Sequence, residues 1–142
     1  MLISTKGRYA VRVMIDLAEN GGKDYVAMKT VADRQGISLK YIERILPLLT
    51  KAGLIEGMHG KGGGYRLAKP PESCTVTEIL MAAEGSIAPV ACLAEGAKPC
   101  EREAECRTVK MWKGAYDLLK NYFDNITVLD LMSDDQADNY VI

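Results

Sequence analysis

The sequence predicts a mainly α-helical protein with one small β-hairpin, built as a winged helix-turn-helix domain followed by a long dimerisation helix. Three observations carry that expectation. Two helix-forming runs meet across Gly36-Ile37-Ser38, a connection short enough for a helix-turn-helix. Two short strand-like runs then flank the loop His59-Gly60-Lys61-Gly62-Gly63-Gly64. Further on, apolar residues recur at alternating intervals of three and four, the spacing of a coiled-coil seam.

The first element is a helix over residues 5–19. Ala10, Val13, Met14, Leu17 and Ala18 share one face, Ser4 or Thr5 is placed to cap it, and Gly21 to stop it. A short extended piece follows at Asp24–Met28. A helix of about eight residues then ends at Gly36, which can take the left-handed conformation of a sharp turn. Ser38 is placed to cap the next helix at Leu39. Ala32 is small where the two helices must approach, and Val31, Ile37, Ile42 and Ile45 can close a shared core. An ordinary helical hairpin shares some of these features. Pro47 removes a backbone hydrogen bond inside the second helix and predicts a bend, with Leu46 and Leu49 continuing the apolar stripe around it.

The helix-turn-helix therefore spans about residues 28–51, and the hairpin of about 54–68 reads as its wing. A phosphate-cradling P-loop is excluded there: no Gly-Lys-Ser/Thr follows, and the loop does not join a strand to a helix. Pro70 and Pro71 mark a boundary between a DNA-binding domain of 1–69 and a cysteine-loop and dimerisation region of 70–142. Thr75 and Glu78 form a capping box for a short helix stopped by Gly85. After the cysteine loop, Val109, Trp112, Tyr116, Leu119, Phe123 and Ile126 make the seam of a long helix, beside a second stripe of Met111, Ala115, Leu118 and Tyr122. A helix with two apolar faces needs two partners, its own domain and a second subunit. The acidic end, SDDQADNYVI, reads as a short helix end and a tail.

Composition narrows the function. The 142 residues are 48% hydrophobic and 26% charged, enough for a real core. No apolar run approaches the roughly 20 residues that span a bilayer, so no membrane partner is expected. Arg12 and Asp16 interrupt the N-terminal apolar run, which does not read as a signal peptide. A cytoplasmic protein is expected, in which clustered cysteines read as metal-binding or redox-active. The net charge of −1 conceals an asymmetry: residues 1–69 carry twelve Lys and Arg against six Asp and Glu, while residues 70–142 carry six against thirteen. The basic half suits a polyanion. The single histidine lies on the glycine loop, without a Ser/His/Asp constellation or paired carboxylates in a plausible pocket, so an enzyme is not expected.

Five separated motifs in this order are STKGRYAV at 4–11, QGISLKYIERI at 35–45, GLI at 53–55, GKGGGYRLAK at 60–69 and NITVLDL at 125–131. Together they resemble the Rrf-two family of bacterial transcription regulators along essentially the whole chain. The resemblance implies a homodimer on double-stranded DNA with a near-palindromic operator, the second helix in the major groove and the wing along the minor groove. The expected DNA-binding set is Ser38, Lys40, Tyr41, Glu43, Arg44, His59, Lys61, Gly62 and Gly63. Lys40 and Arg44 project from the first turns of that helix towards phosphates or bases. Tyr41 can bond a phosphate or pack on sugar. Glu43 accepts from cytosine's amino group and repels phosphates, which makes it a specificity filter. Lys61 and His59 are the wing contacts, His59 standing where iron–sulfur relatives often have arginine. A winged protein-interaction module that does not bind DNA is the rival of another class. Only the DNA reading predicts duplex binding that falls steeply with salt.

Cys92-Leu-Ala-Glu-Gly-Ala-Lys-Pro-Cys100-Glu-Arg-Glu-Ala-Glu-Cys106 looks like the cluster-binding loop of the iron–sulfur members. Cys92, Cys100 and Cys106 match their ligands, which implies an iron–sulfur cluster, 2Fe–2S ahead of 4Fe–4S. Thiolates are soft anionic donors that suit iron. Two departures stand out. Seven residues separate the first two cysteines where IscR-like members have five, and Val109 replaces the histidine expected three residues after the last. The fourth ligand stays open among a loop carboxylate, His59, a partner-subunit residue, and an exogenous thiol or water; Cys74 reads as a buried small residue. Zinc and a cluster-free thiol sensor are the competing chemistries. The PESCTVTEIL and SIAPV segments and the acidic end look more like the CymR-like branch, a regulator of cysteine and sulfur metabolism working through thiol redox or a partner protein.

Overall fold

The structure is a computed structural model that describes residues 3–133. Helix α1 (Thr5–Asn20) is followed by α2 (Met28–Gln35) and α3 (Leu39–Lys51), then strands β1 (Ile55–Met58) and β2 (Gly64–Leu67). Helices α4 (Val76–Glu84), α5 (Val109–Asp124) and α6 (Val128–Leu131) follow among the described residues. This is the mainly helical, single-hairpin architecture the sequence predicts.

The helix-turn-helix forms for the expected local reasons. Gly36 ends α2 in the left-handed region at φ 65°, and Ser38 caps α3 by accepting the Tyr41 N–H at 3.1 Å. Val31, Ala32, Ile37, Ile42 and Ile45 are all buried in one core. Pro47 lies inside α3, which continues to Lys51.

Helix α1 is the hub. Its buried Ala10, Val13, Met14, Leu17 and Ala18 pack against neighbouring helices, and it touches α2, α3, α4, α6 and β2. An ion pair on a buried carboxylate fixes α2 on it: Asp16, 1% exposed, receives two hydrogen bonds from the exposed Arg34 at 2.7 and 3.0 Å and one from Gln35 at 2.9 Å. That hydrogen bonding to Asp16, against an opposing effect of burial, raises the Arg34 pKa and keeps the guanidinium charged.

The wing is an antiparallel pair in the register Ile55↔Leu67 to Met58↔Gly64. The extended piece before α2 adds one bridge to it, Val26 to Tyr65, with hydrogen bonds of 2.8 and 3.0 Å. Gly64 allows this approach, since a Cβ there would strike the Val26 backbone.

The expected capping box of α4 is present, with Gly85 closing the helix in the left-handed region at φ 83°. Cys74, Ile79 and Ala83 share the core of the helix-turn-helix, as do Val128 and Met132. Helix α6 was not foreseen, although Thr127 and Asp130 form the same type of capping box. A second, smaller core joins Val76, Leu80 and Ile87 to Tyr116 and Phe123 of α5 and to Ile126 just beyond it. Of the two apolar stripes on α5, the seam is thus the one turned to its own chain. The other lies open: Met111, Leu118 and Tyr122 are 56%, 75% and 63% exposed. The acidic end lies, from residue 134 on, outside the described residues.

Candidate nucleic-acid interface and cysteine loop

Burial of Ile42, Ile45, Leu46 and Leu49 sets the rotation of α3 and leaves Lys40, Glu43 and Arg44 exposed on its other side. Ser38, Lys40, Tyr41 and Arg44 line one surface depression. The Tyr41 ring meets Tyr9 of α1 edge-on, centroids 5.3 Å apart. Arg12 and Arg8 approach the Tyr9 ring at 5.3 and 5.9 Å. The guanidinium of Arg12 also bonds the side-chain oxygen of Gln35 and its backbone carbonyl. Sequence reasoning placed no DNA-facing role on α1, although Arg8 and Arg12 fall outside its apolar face; Lys6, four residues before Ala10 and seven before Val13, is in line with that face and half-buried.

The wing residues occupy a different place. His59 lines a depression with Thr50, Gly57, Met58 and Tyr65, beside the C-terminal end of α3. Gly60 and Gly62 turn the tip with φ of 94° and 81°, and Lys61 between them is exposed. Gly63 is required by space, since a Cβ would run into the Met58 carbonyl. Arg66 stiffens the hairpin. It pairs across the strands with Glu56 at 2.7 Å, donates to the Lys23 carbonyl at 2.8 Å and lies 4.3 Å over the Tyr25 ring. The structure therefore gathers Ser38, Lys40, Tyr41 and Arg44, leaves Glu43 exposed beside them, and holds His59, Lys61, Gly62 and Gly63 on the hairpin.

Cys92, Cys100 and Cys106 line one cavity, together with Leu93, Ala97, Pro99, Glu103 and Val109. Their thiols are not converged: among the described residues no set of three or more His, Cys, Asp or Glu side chains is close enough to hold a metal ion. Cys106 sits just before α5, 3.5 Å from the Thr108 hydroxyl. Hydrogen bonding from that hydroxyl, then from the Thr108 and Val109 backbone, holds its pKa below the ordinary thiol value. Cys74 is the opposite case. It is fully buried, and burial pushes its thiol up to about 11. The loop is tied to α5 by the Tyr116 hydroxyl, which donates to Glu95 at 2.9 Å.

A helix-turn-helix with an exposed basic edge, followed by a glycine-tipped hairpin, defines the class of winged-helix DNA-binding transcriptional regulators. Residues 3–134 match the Rrf2 family, described as iron-dependent transcriptional regulators, and the chain belongs to that family. It is 35% identical to the HTH-type transcriptional regulator IscR of Vibrio vulnificus over 137 residues, 96% of this chain and 80% of the relative. Among solved structures it resembles CymR, the global cysteine regulator of B. subtilis, at TM-score 0.73 and 34% identity over 92% of this chain and 95% of that one. It also resembles IscR of T. potens at TM-score 0.71 and 32% identity over 92% and 85%. These relatives are regulators rather than enzymes. Among the described residues no helix is long and apolar enough to cross a membrane.

Proposed function

We propose that this regulator works in the cytoplasm as a homodimer on a near-palindromic operator, and that an iron–sulfur cluster held by Cys92, Cys100 and Cys106 modulates its DNA binding. The carrying observation is the shared cavity of the three cysteines at the foot of α5. Three soft thiols suit iron, and their spread in this conformation means that the loop closes as ligands are engaged. The cluster, of 2Fe–2S type, supplies redox-sensitive iron chemistry when bound. The chain's own part is to gather the thiols and transmit their order. The open stripe of Met111, Leu118 and Tyr122 is the face that a second copy covers. On DNA, Lys40 and Arg44 neutralise phosphates or read bases, Tyr41 and Ser38 hold the backbone, Glu43 filters base identity, and the His59–Gly63 tip follows the minor groove.

Anaerobic purification followed by absorption spectroscopy with iron and sulfide assays tests the cofactor, and duplex binding of the same sample with and without it tests the switch. A colourless protein free of iron and sulfide from iron-replete cells would overturn the cluster. Wild-type affinity that ignores salt would overturn the DNA reading. Glu43→Ala is expected to relax base choice more than it lowers affinity.

A cluster-free thiol sensor, closer to the CymR-like branch, is the second reading. The lowered pKa of Cys106 favours it, because a thiolate is the form that oxidants attack. Reversible loss of DNA binding with peroxide in an iron-free sample would select it.

A further inference from the structure

The end of α4 is clamped to the start of α1. Glu84 Oε1 accepts the Ser4 N–H at 2.9 Å, the Ser4 hydroxyl at 2.6 Å and the Gly7 N–H at 3.0 Å. Ser4 or Thr5 was expected to cap α1, and the N-cap is Ser4. Its hydroxyl is turned to Glu84, which takes over the capping of Gly7. First-turn amides lack partners within a helix, and a negative charge there suits the dipole. In its own helix the same carboxylate sits at the C-terminal end, where the dipole opposes it. Glu84 is thus placed for α1 rather than for α4. The contact also accounts for Gly7, a poor helix former inside a helix: a Cβ there would run into Glu84 Oε1.

Between the clamped residues lies Lys6. With Ser4, Tyr41, Arg44 and Leu48 it lines a depression between α1 and α3. This depression shares Tyr41 and Arg44 with the one that holds Lys40. An ammonium and a guanidinium on one concavity repel each other, and an anion between them relieves that repulsion. A phosphodiester oxygen accepts from both cations and from a phenol, as this set of donors requires.

We propose that Lys6, Tyr41 and Arg44 seat one backbone phosphate of duplex DNA, and that Glu84 is the positioning residue that holds Lys6 in place. The inference rests on the DNA-binding reading and extends the contact surface from α3 and the wing to α1. It also gives the far half of the chain a route to the interface, because Gly85 leads from Glu84 towards the cysteine loop.

The test uses the full chain and a labelled duplex recovered by the wild-type protein from a randomised pool, with affinity measured across a salt series. Lys6→Ala should flatten the log-affinity against log-salt slope by about 0.9 per subunit, the loss of one phosphate contact. Glu84→Ala should flatten it equally, and the double variant no further, since both remove the same contact. Glu84→Gln keeps an acceptor oxygen and should retain the wild-type slope. Gly7→Ala, which improves helix propensity but displaces Glu84, should weaken binding without lowering the melting temperature. Lys61→Ala is the reference: its slope loss should add to that of Lys6→Ala. A wild-type slope for Lys6→Ala, with loss in Lys61→Ala, would overturn the phosphate seat and leave the DNA reading intact. Additive effects of Glu84→Ala and Lys6→Ala would overturn the positioning role. Failure of the wild type to select any duplex would remove the reading beneath both.

Discussion

Inside the core, the Cys74 thiol is raised from its ordinary value to about 11, chiefly by burial. A thiol that is harder to ionise in the folded chain favours folding for as long as it stays protonated in both states. As pH climbs from about 9 to about 11, the unfolded chain releases this proton first, so stability falls across that window. Cys74→Ala should flatten the alkaline loss, which urea unfolding at stepped pH would register; an unchanged slope would refute the assignment. Cys106 has the reverse sign. Its hydrogen bond with Thr108 favours the thiolate, so Thr108→Val should move the pH of half-maximal alkylation at Cys106 upward. Peptide-resolved mass spectrometry reads this site by site. In the same experiment Cys74 should be alkylated last, and only through unfolding.

At the scale of elements, α5 explains why one sequence pattern carries two meanings. Alternating spacings of three and four marked its apolar residues, but periodicity alone does not say which stripe meets which partner. In the structure Tyr116, Phe123 and Ile126 close on Val76, Leu80 and Ile87, while Leu118 stays 75% exposed. Leu118→Lys should therefore leave the chain folded and release monomers in sedimentation; a well-formed dimer would remove the proposed interface. The other elements divide along similar lines. The caps of α3 and α4 were legible because Ser38, Thr75 and Glu78 act within three residues of themselves. Helix α6 carried the same Thr127–Asp130 signal but is only four residues long, below the length at which periodicity speaks. The clamp of Glu84 on α1 spans about eighty positions of sequence, and no local pattern encodes such a contact. The candidate DNA edge on α3 was likewise legible, since burying one helical face dictates the other. Lys6, Arg8 and Arg12 were not, because their placement depends on how α1 meets α3.

For the whole molecule, the question is how three cysteines on one loop bear on a DNA edge elsewhere. Packing supplies the connection. Helix α1 contacts α2, α3, β2, α4 and α6, and α4 in turn packs on α5. The cysteine loop runs from the end of α4 to the start of α5, and Tyr116 ties it to α5 through Glu95. Ordering the loop therefore acts on the α4–α5 contact, and in the proposed dimer α5 sets how far apart two recognition helices stand. Half-sites about one helical turn, ~34 Å, apart are matched only if that distance is held. The expected consequence is a spacing preference that depends on the loop. On duplexes whose half-sites are moved by a single base pair, the loaded protein should discriminate against the wrong spacing roughly fivefold or more, the lower range of allosteric coupling. The variant with Cys92, Cys100 and Cys106 all changed to Ala should lose most of that discrimination while still binding DNA with a steep salt dependence. Equal spacing profiles for the two proteins would separate the loop from the geometry of the dimer and confine its influence to affinity.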